Sequence, residues 1–179
     1  MHLYAEDCNQ VLLLRVFPRA RYEDYRRALC LLDPYGLTLS WEVLAQAGRM
    51  RSVDIFLNFP IEAINRNVLR SDVGKVTAAD RTRMTRFWGD DSWQDHAYAA
   101  ERDLFGAEMV TKKPGNEPIV RAFQERLRRV AEFKFVPDPI PMRNSKRAVV
   151  YYLFFASHNE SGDRIARHLF RKYRSRGIA

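Results

Sequence analysis

The residue types best suited to chemistry follow a short apolar run and form the turn Asp33-Pro34-Tyr35-Gly36. The Asp33 carboxylate can accept a proton or a hydrogen bond from an amine, and Pro34 restricts the backbone so that nearby carbonyls keep fixed directions. Tyr35 offers an aromatic face on which a planar base could stack. Together these residues suit the orientation of an exocyclic amino group for methyl transfer. The alternative is an ordinary turn, because Asp and Pro are common in turns.

A second turn of similar kind, Asn58-Phe59-Pro60, ends the next apolar run. Two such turns side by side would give a site a polar floor from Asn58 and an aromatic wall from Phe59. Both residues are therefore candidate substrate contacts. Neighbouring turns require neighbouring strands, so the elements around them decide whether a site can form.

The elements around the two turns predict a βαβ unit. Ala28-Leu29-Cys30-Leu31-Leu32 is an apolar run typical of a strand buried on both faces of a parallel sheet. Ser40 is a candidate N-cap for a helix over residues 41–48, and residues 53–57 form the next strand. Strand, helix and strand in this order favour a parallel pair with a right-handed crossover. Ligands bind at the carboxyl ends of such strands.

The rest of the chain predicts further helices and one antiparallel strand pair. The helical segments are 61–69, 77–104, 119–130 and 164–173, together with the end of a helix at 22–27. Residues 2–5 are expected to be extended, and 112–116 to form a loop. The extended segments 133–136 and 148–156, joined through 143–146, are expected to pair antiparallel.

Composition favours one folded domain over residues 1–179. The chain has 46% hydrophobic residues, enough for a core without disulfides or metal. The two cysteines, Cys8 and Cys30, exclude a disulfide scaffold, and no spacing of histidines predicts a metal site. The longest apolar run, 148–156, is too short to span a bilayer, and residues 1–10 lack a secretory signal. A cytoplasmic protein with no membrane partner is expected.

The net charge of +8 is concentrated in the C-terminal half. From residue 164 onward the chain has six basic residues and no acidic one, which suits an anionic partner such as nucleic acid. The alternative is a solvated helix face. The candidate phosphate contacts are Arg164, Arg167, Arg171, Lys172 and Arg174.

Six motifs follow one another between residues 32 and 157, within a region of resemblance that runs from about residue 3 to residue 174. They are Leu32-Asp33-Pro34-Tyr35-Gly36-Leu37, Leu57-Asn58-Phe59-Pro60, Asn65-Arg66-Asn67, Phe87-Trp88-Gly89, Pro141-Met142-Arg143-Asn144-Ser145 and Tyr151-Tyr152-Leu153-Phe154-Phe155-Ala156-Ser157. In this order they resemble the bacterial three-Cys-motif partner (TcmP) family, whose name refers to cysteines of a partner protein.

The resemblance implies an α/β fold that is three-layered and Rossmann-like, as in class I methyltransferases. The sheet would be mostly parallel, with an antiparallel C-terminal strand pair built from residues 133–136 and 149–157. Its fourth and fifth strands would end at the two turns already described. Asp33, Pro34 and Tyr35 would then be the catalytic residues.

The resemblance also implies S-adenosylmethionine as cofactor. A third strand would end at Asp7, which makes Asp7 and Cys8 candidate cofactor contacts; the alternative for Asp7 is a turn or an N-cap. Arg143 and Asn144 would lie near the mouth of the substrate site. The implied protein partner is a metal-cluster protein that carries the three-cysteine motif.

The chain departs from this class at the cofactor turn. Close backbone approach to the cofactor requires a glycine-rich turn, but no two of the eight glycines lie closer than nine positions. We therefore expect an N-terminally truncated, partial methyltransferase-like domain, with an oligomer or a partner chain covering the missing sheet edge. The alternative to an enzyme is a non-enzymatic docking module for the three-cysteine-motif protein.

Overall fold

The described residues of a computed structural model, 2–70, 73–102 and 108–175, form an α/β protein. Its strands are β1 Ala28–Leu32, β2 Val53–Phe59, β3 Tyr98–Arg102, β4 Glu108–Lys112, β5 Ile140–Arg143 and β6 Val149–Ala156. Its α-helices are α1 Cys8–Val11, α2 Trp41–Met50, α3 Ile61–Asn67, α4 Ala78–Trp88, α5 Trp93–Ala97, α6 Glu117–Arg129 and α7 Glu160–Ser175. A π-helical turn, Leu12–Val16, and 3-10 turns at Phe17–Arg19 and Val73–Lys75 complete the described elements.

The main sheet has the order β1–β2–β6–β5. It is mixed, and the expected mostly parallel sheet is wrong for the described strands, since only one of the three pairings, β1 with β2, is parallel. β1 and β2 are parallel, with Cys30 opposite Ile55, and α2 makes the crossover between them, which confirms the predicted βαβ unit. β6 runs antiparallel to both of its neighbours, β2 and β5. A separate antiparallel pair joins β3 to β4.

The larger hydrophobic core lies on one face of this sheet. The residues of β2 alternate between buried and partly buried, so every second side chain points into that core. Val53, Ile55, Leu57 and Phe59 are buried on that face among side chains of α2, α4 and α6. The Phe59 ring lies 4.6 Å from that of Phe123 in α6. Burying an aromatic side chain of this size stabilises the fold by about 2–3 kcal/mol.

Helix α7 covers part of the opposite face. It buries Ala166 and Phe170 against Phe56 and Phe155, and the rings of Phe56 and Phe170 are 6.3 Å apart. The sequence placed Ile165, Leu169 and Tyr173 on the apolar face of this helix, but these residues are exposed. The buried residues Ala166 and Phe170 each lie one position later in the chain.

The N-terminal predictions need three corrections. Residues 2–7 form no strand, so the implied third strand is wrong within that segment. Residues 22–25 form a turn and residues 26–27 no regular element, so the predicted end of a helix at 22–27 is wrong too. β1 is present, but it is not buried on both faces, because Leu29 and Leu31 are 57% and 74% exposed. A local apolar run cannot reveal whether a neighbouring element covers it.

The later predictions need two corrections. Residues 98–102 form β3 instead of continuing the helical region, while residues 103 and 104 lie outside the described ranges. The strand that pairs with β6 is β5, within the proline-rich stretch, and the segment 133–136 contributes only the bridge of Phe135 to Ser157. Proline lacks an N–H, but β5 is an edge strand, where this is tolerated.

Candidate functional site

The two predicted turns meet at the carboxyl ends of β1 and β2. Because Leu32 is opposite Leu57, the next residues, Asp33 and Asn58, are neighbours. The Asn58 side-chain amide Nδ2 donates a hydrogen bond of 2.9 Å to Oδ1 of Asp33. Oδ2 of Asp33 accepts no hydrogen bond from the described residues.

A cavity of about 200 Å³ opens at this junction. Its polar lining residues are Asp33, Asn58, Glu62, Arg66 and Tyr151, and its apolar walls are Pro34, Pro60, Ala63 and Val150. Glu62 and Tyr151 were not singled out as site residues by sequence, because α3 and β6 reach this edge only through the fold. The cavity therefore combines acceptors with one cation in a space that suits a small polar group.

Tyr35 is not among the residues that line the cavity; it follows the lining residue Pro34 in the chain and is 92% exposed. The turn that carries it includes Gly36 at φ +61°, a left-handed conformation that glycine adopts without strain. An aromatic ring this open can stack on a planar ligand.

Phe59 does not line the cavity. It is fully buried on the core face, where its ring also lies 5.5 Å from that of Phe154. Successive side chains of a strand point to opposite faces, so Asn58 and Phe59 cannot share one site. The predicted aromatic wall is thus a core residue.

The loop between β1 and α2 is held by a residue that sequence reasoning missed, Asn9. Its side-chain oxygen accepts a 2.7 Å hydrogen bond from the Ser40 N–H, and its amide donates to the Thr38 carbonyl at 3.1 Å. Asn9 is buried, so these hydrogen bonds take the place of those that its amide would make to water. Asn9 therefore anchors the loop that follows the catalytic candidates.

Asp7 is the N-cap of α1, the alternative that the sequence left open. The backbone N–H of Gln10 donates to its carboxylate at 3.1 Å and holds the pKa of Asp7 below its ordinary range. Cys8 follows in the first turn of α1 and is exposed. Neither residue lies at the end of a strand.

Arg143 and Asn144 shape the hairpin between β5 and β6. Oδ1 of Asn144 accepts hydrogen bonds from the N–H groups of Lys146 and Ala148, both at 3.0 Å, and Arg143 donates to the Arg147 carbonyl at 2.9 Å. Arg143 lines a second cavity of about 660 Å³. Two strands separate β5 from β1, about 14 Å, so these residues are not brought to Asp33.

Four of the five phosphate candidates line one groove of about 450 Å³ beside α7; Lys172 is not among its lining residues. Arg167 pairs with Asp163 at 2.7 Å, and Arg174 donates to the carbonyls of Asp138 and Pro139 at 2.9 and 3.0 Å. These carbonyls precede β5, which runs parallel to β1. The groove therefore lies at the opposite end of the sheet from Asp33.

The residues present do not fit S-adenosylmethionine. Both carboxylate oxygens of Asp7 are engaged, one by Gln10 and the other by the Asn9 amide at 3.5 Å. A backbone cradle needs several glycines in one turn, whereas Gly36 stands alone between β1 and α2. No described turn offers the close approach that the cofactor requires.

The comparisons with known proteins assign no family. No family model matches the chain, and neither a curated protein nor a solved structure matches it. Within the described ranges, none of the helices combines the length and apolar character needed to cross a membrane. The same residues contain no group of three or more His, Cys, Asp and Glu that could hold a metal ion.

Proposed function

We propose that this chain is a methyltransferase-like protein of the three-Cys-motif partner type and that its Asp33–Asn58 pocket orients an amino group of a nucleic-acid base. The observation that carries the proposal is the 2.9 Å bond between these two side chains at the ends of adjacent parallel strands. This is the edge at which open α/β sheets bind ligands.

The pocket has the acceptors that an amino group needs. Oδ2 of Asp33 and Oδ1 of Asn58 accept no hydrogen bond from the described residues, and an exocyclic amine has two N–H bonds to donate. Accepting both would fix the orientation of the amine in the pocket. The residues present do not fit a methyl-donor cofactor, so the proposal is limited to binding and orienting the amine.

The finer fold assignment is part of the same proposal. A parallel pair joined by α2, an antiparallel β5–β6 hairpin beside β2, and helices on both sheet faces support a Rossmann-like methyltransferase sheet. The open edge at β1 supports a sheet that is completed by strands of an oligomer or of a partner chain.

The substrate class follows from charge. Arg164, Arg167, Arg171 and Arg174 line the groove on α7 together with Asp138, Glu160 and Asp163, so basic residues exceed acidic ones there by one. About 17 Å, the length of β1, separates this end of the sheet from Asp33. Only an extended ligand could reach both places. A single-stranded nucleic acid of several nucleotides meets this requirement.

The test compares bases with and without an exocyclic amine. Oligonucleotides of about 12 nucleotides made of deoxycytidine and of thymidine share the phosphate backbone, but thymine lacks the amino group. We expect the cytidine oligomer to bind about tenfold more tightly, the value of one good hydrogen bond to a charged group. Fluorescence anisotropy measures both affinities.

The variant Asp33→Asn separates the base contact from the phosphate contacts. It should bring the cytidine affinity down to that of thymidine and leave the thymidine affinity unchanged. Asp24→Asn, at an exposed aspartate of the turn before β1, is the matched control. Equal affinity of the native protein for both oligomers would refute the amine pocket.

A second candidate, a docking module for the three-cysteine-motif protein, is favoured by the exposed apolar residues Ile165, Leu169 and Tyr173 of α7. In that case Leu169→Glu would abolish docking, and Asp33→Ala would leave it intact. Docking that survives Leu169→Glu would count against this candidate.

A further inference from the structure

Strand β1 is an open edge of the main sheet, and it carries no protecting feature. Among the described residues its only ladder partner is β2. It contains neither a proline nor a charge, whereas the other edge strand, β5, contains Pro141. Edges of this kind pair with other strands unless charge or proline blunts them.

The outward backbone groups of β1 belong to its odd-numbered residues. The Ala28 N–H donates to the Ser52 carbonyl at 3.0 Å, so residues 28, 30 and 32 face β2. In a parallel ladder alternate residues bond to one neighbour, which leaves the N–H and C=O groups of Leu29 and Leu31 pointing to the open side. The side chains of these two leucines are also exposed.

We propose that the open edge of β1 binds β1 of a second copy of this chain, antiparallel, with Cys30 at the two-fold axis. Leu29 then lies opposite Leu31 of the second copy, and Leu31 opposite its Leu29. These are hydrogen-bonded pairs that exchange both backbone bonds, as the outward direction of their groups requires. The four leucines would cover one another on the exposed face.

The charged residues that flank β1 favour this register over registers shifted by one or two residues. Arg27 precedes β1 and Asp33 follows it, each three residues from Cys30. In the proposed register each Arg27 lies opposite Asp33 of the other copy, which gives two ion pairs related by symmetry. A shift of one residue in either strand places backbone groups that point to the open side opposite groups that already face β2, so they cannot form hydrogen bonds. A shift of two sets Asp33 opposite Leu29, or Arg27 opposite Leu31.

The assembly closes at two copies, because each chain has one β1 edge and pairing consumes it. It forms a continuous eight-stranded sheet with the same face of both copies on one side. It also brings Arg27 of the second copy beside Asp33, whose two carboxylate oxygens offer about four acceptor positions, enough for Asn58, Arg27 and a ligand amine together. Tyr25 and Tyr35, each five residues from Cys30 and nearly fully exposed, flank the junction.

The first test is the molar mass in solution, measured by light scattering on the full chain. The native protein should have twice the mass of the single chain, and Leu31→Lys should have the single-chain mass, because a lysine on an edge strand blocks pairing. Leu14→Lys is the matched control, since Leu14 and Leu31 are 73% and 74% exposed. Circular dichroism confirms that both variants are folded.

The second test is a charge exchange read by sedimentation equilibrium. Arg27→Asp alone and Asp33→Arg alone each set like charges opposite one another and should weaken the dimer at least tenfold. The double variant restores opposite charges and should recover the native dissociation constant. A monomeric native protein, a dimer that survives Leu31→Lys, or a double variant no better than the single ones would overturn the proposal.

Discussion

The side-chain amide of Asn58 donates a 2.9 Å hydrogen bond to Asp33 across 25 residues of sequence, and so joins the ends of β1 and β2. Both residues are accessible from the cavity at this edge. The bond fixes the direction of the Asp33 carboxylate, and it leaves one acceptor on each residue for a ligand.

Replacing Asn58 by Leu should therefore affect binding more than stability. Hydrogen bonds near water contribute about 1 kcal/mol to folding, so the free energy of unfolding should fall by no more than that. The preference for cytidine over thymidine oligomers should disappear. Urea unfolding and fluorescence anisotropy measure the two effects, and Asn67→Leu serves as control; a preserved preference would contradict the role given to Asn58.

Asn9→Ala should lower stability by about 1–3 kcal/mol. The change leaves the Ser40 N–H and the Thr38 carbonyl without the partners that Asn9 supplies in a buried setting. Gln10→Ala, in the same helix and exposed, should have little effect. Urea unfolding measures the free energy of unfolding of both variants. An equal loss in the two would show that Asn9 does not hold the loop.

Gly48→Ala should destabilise the protein by about 2 kcal/mol, although alanine is favoured over glycine inside a helix by about 1 kcal/mol. The reason is that a Cβ on Gly48 would overlap the backbone carbonyl of Ala131. Gly162→Ala is the control, since a Cβ there would make ordinary contacts of 3.4 Å with Phe155 and Ser157. Thermal unfolding should show a lower midpoint for Gly48→Ala alone.

His158 should make stability fall as the solution becomes acidic. Burial lowers the pKa of its ring below the ordinary value of 6.5, although Nε2 lies 2.8 Å from the Gly48 carbonyl. Arg51 lowers this pKa further, and Asp54 and Glu132 oppose the shift. In the unfolded chain the ring takes up a proton near pH 6.5, before the folded ring does, so stability is complete above that pH and declines below it.

The measurement is the thermal midpoint between pH 7 and pH 5. His158→Gln keeps a donor for the Gly48 carbonyl but cannot titrate, so its midpoint should fall less over this range than that of the native protein. His168→Gln, at an exposed histidine, should follow the native curve. Parallel curves for all three proteins would rule out a contribution from His158.

The sequence predicted the elements of the site better than their surroundings. The β1–α2–β2 unit, the N-cap position of Ser40 and the juxtaposition of Asp33 with Asn58 follow from local patterns, and the structure confirms them, although the Ser40 side chain makes no capping hydrogen bond. The exposure of Leu31 could not be predicted, because an apolar run looks the same with or without a neighbour. Asn9 was missed since its partners lie about 30 residues away.

Two other errors have equally local causes. Phe59 was assigned to the site because it follows Asn58, although alternation along a strand places adjacent side chains on opposite faces. β5 was overlooked because Pro141 weakens any strand pattern, and only its edge position makes the proline acceptable. Both errors concern the face or the edge of a sheet, which residue type alone does not specify.

The amine pocket is tested most directly by nuclear magnetic resonance of the ¹⁵N-labelled protein. The cytidine oligomer should shift the Asn58 side-chain amide and the Tyr35 backbone amide, and the thymidine oligomer should shift neither, while both oligomers shift amides of α7. Identical shifts with both oligomers, or cytidine-specific shifts only at sites remote from Asp33, would contradict the proposed site.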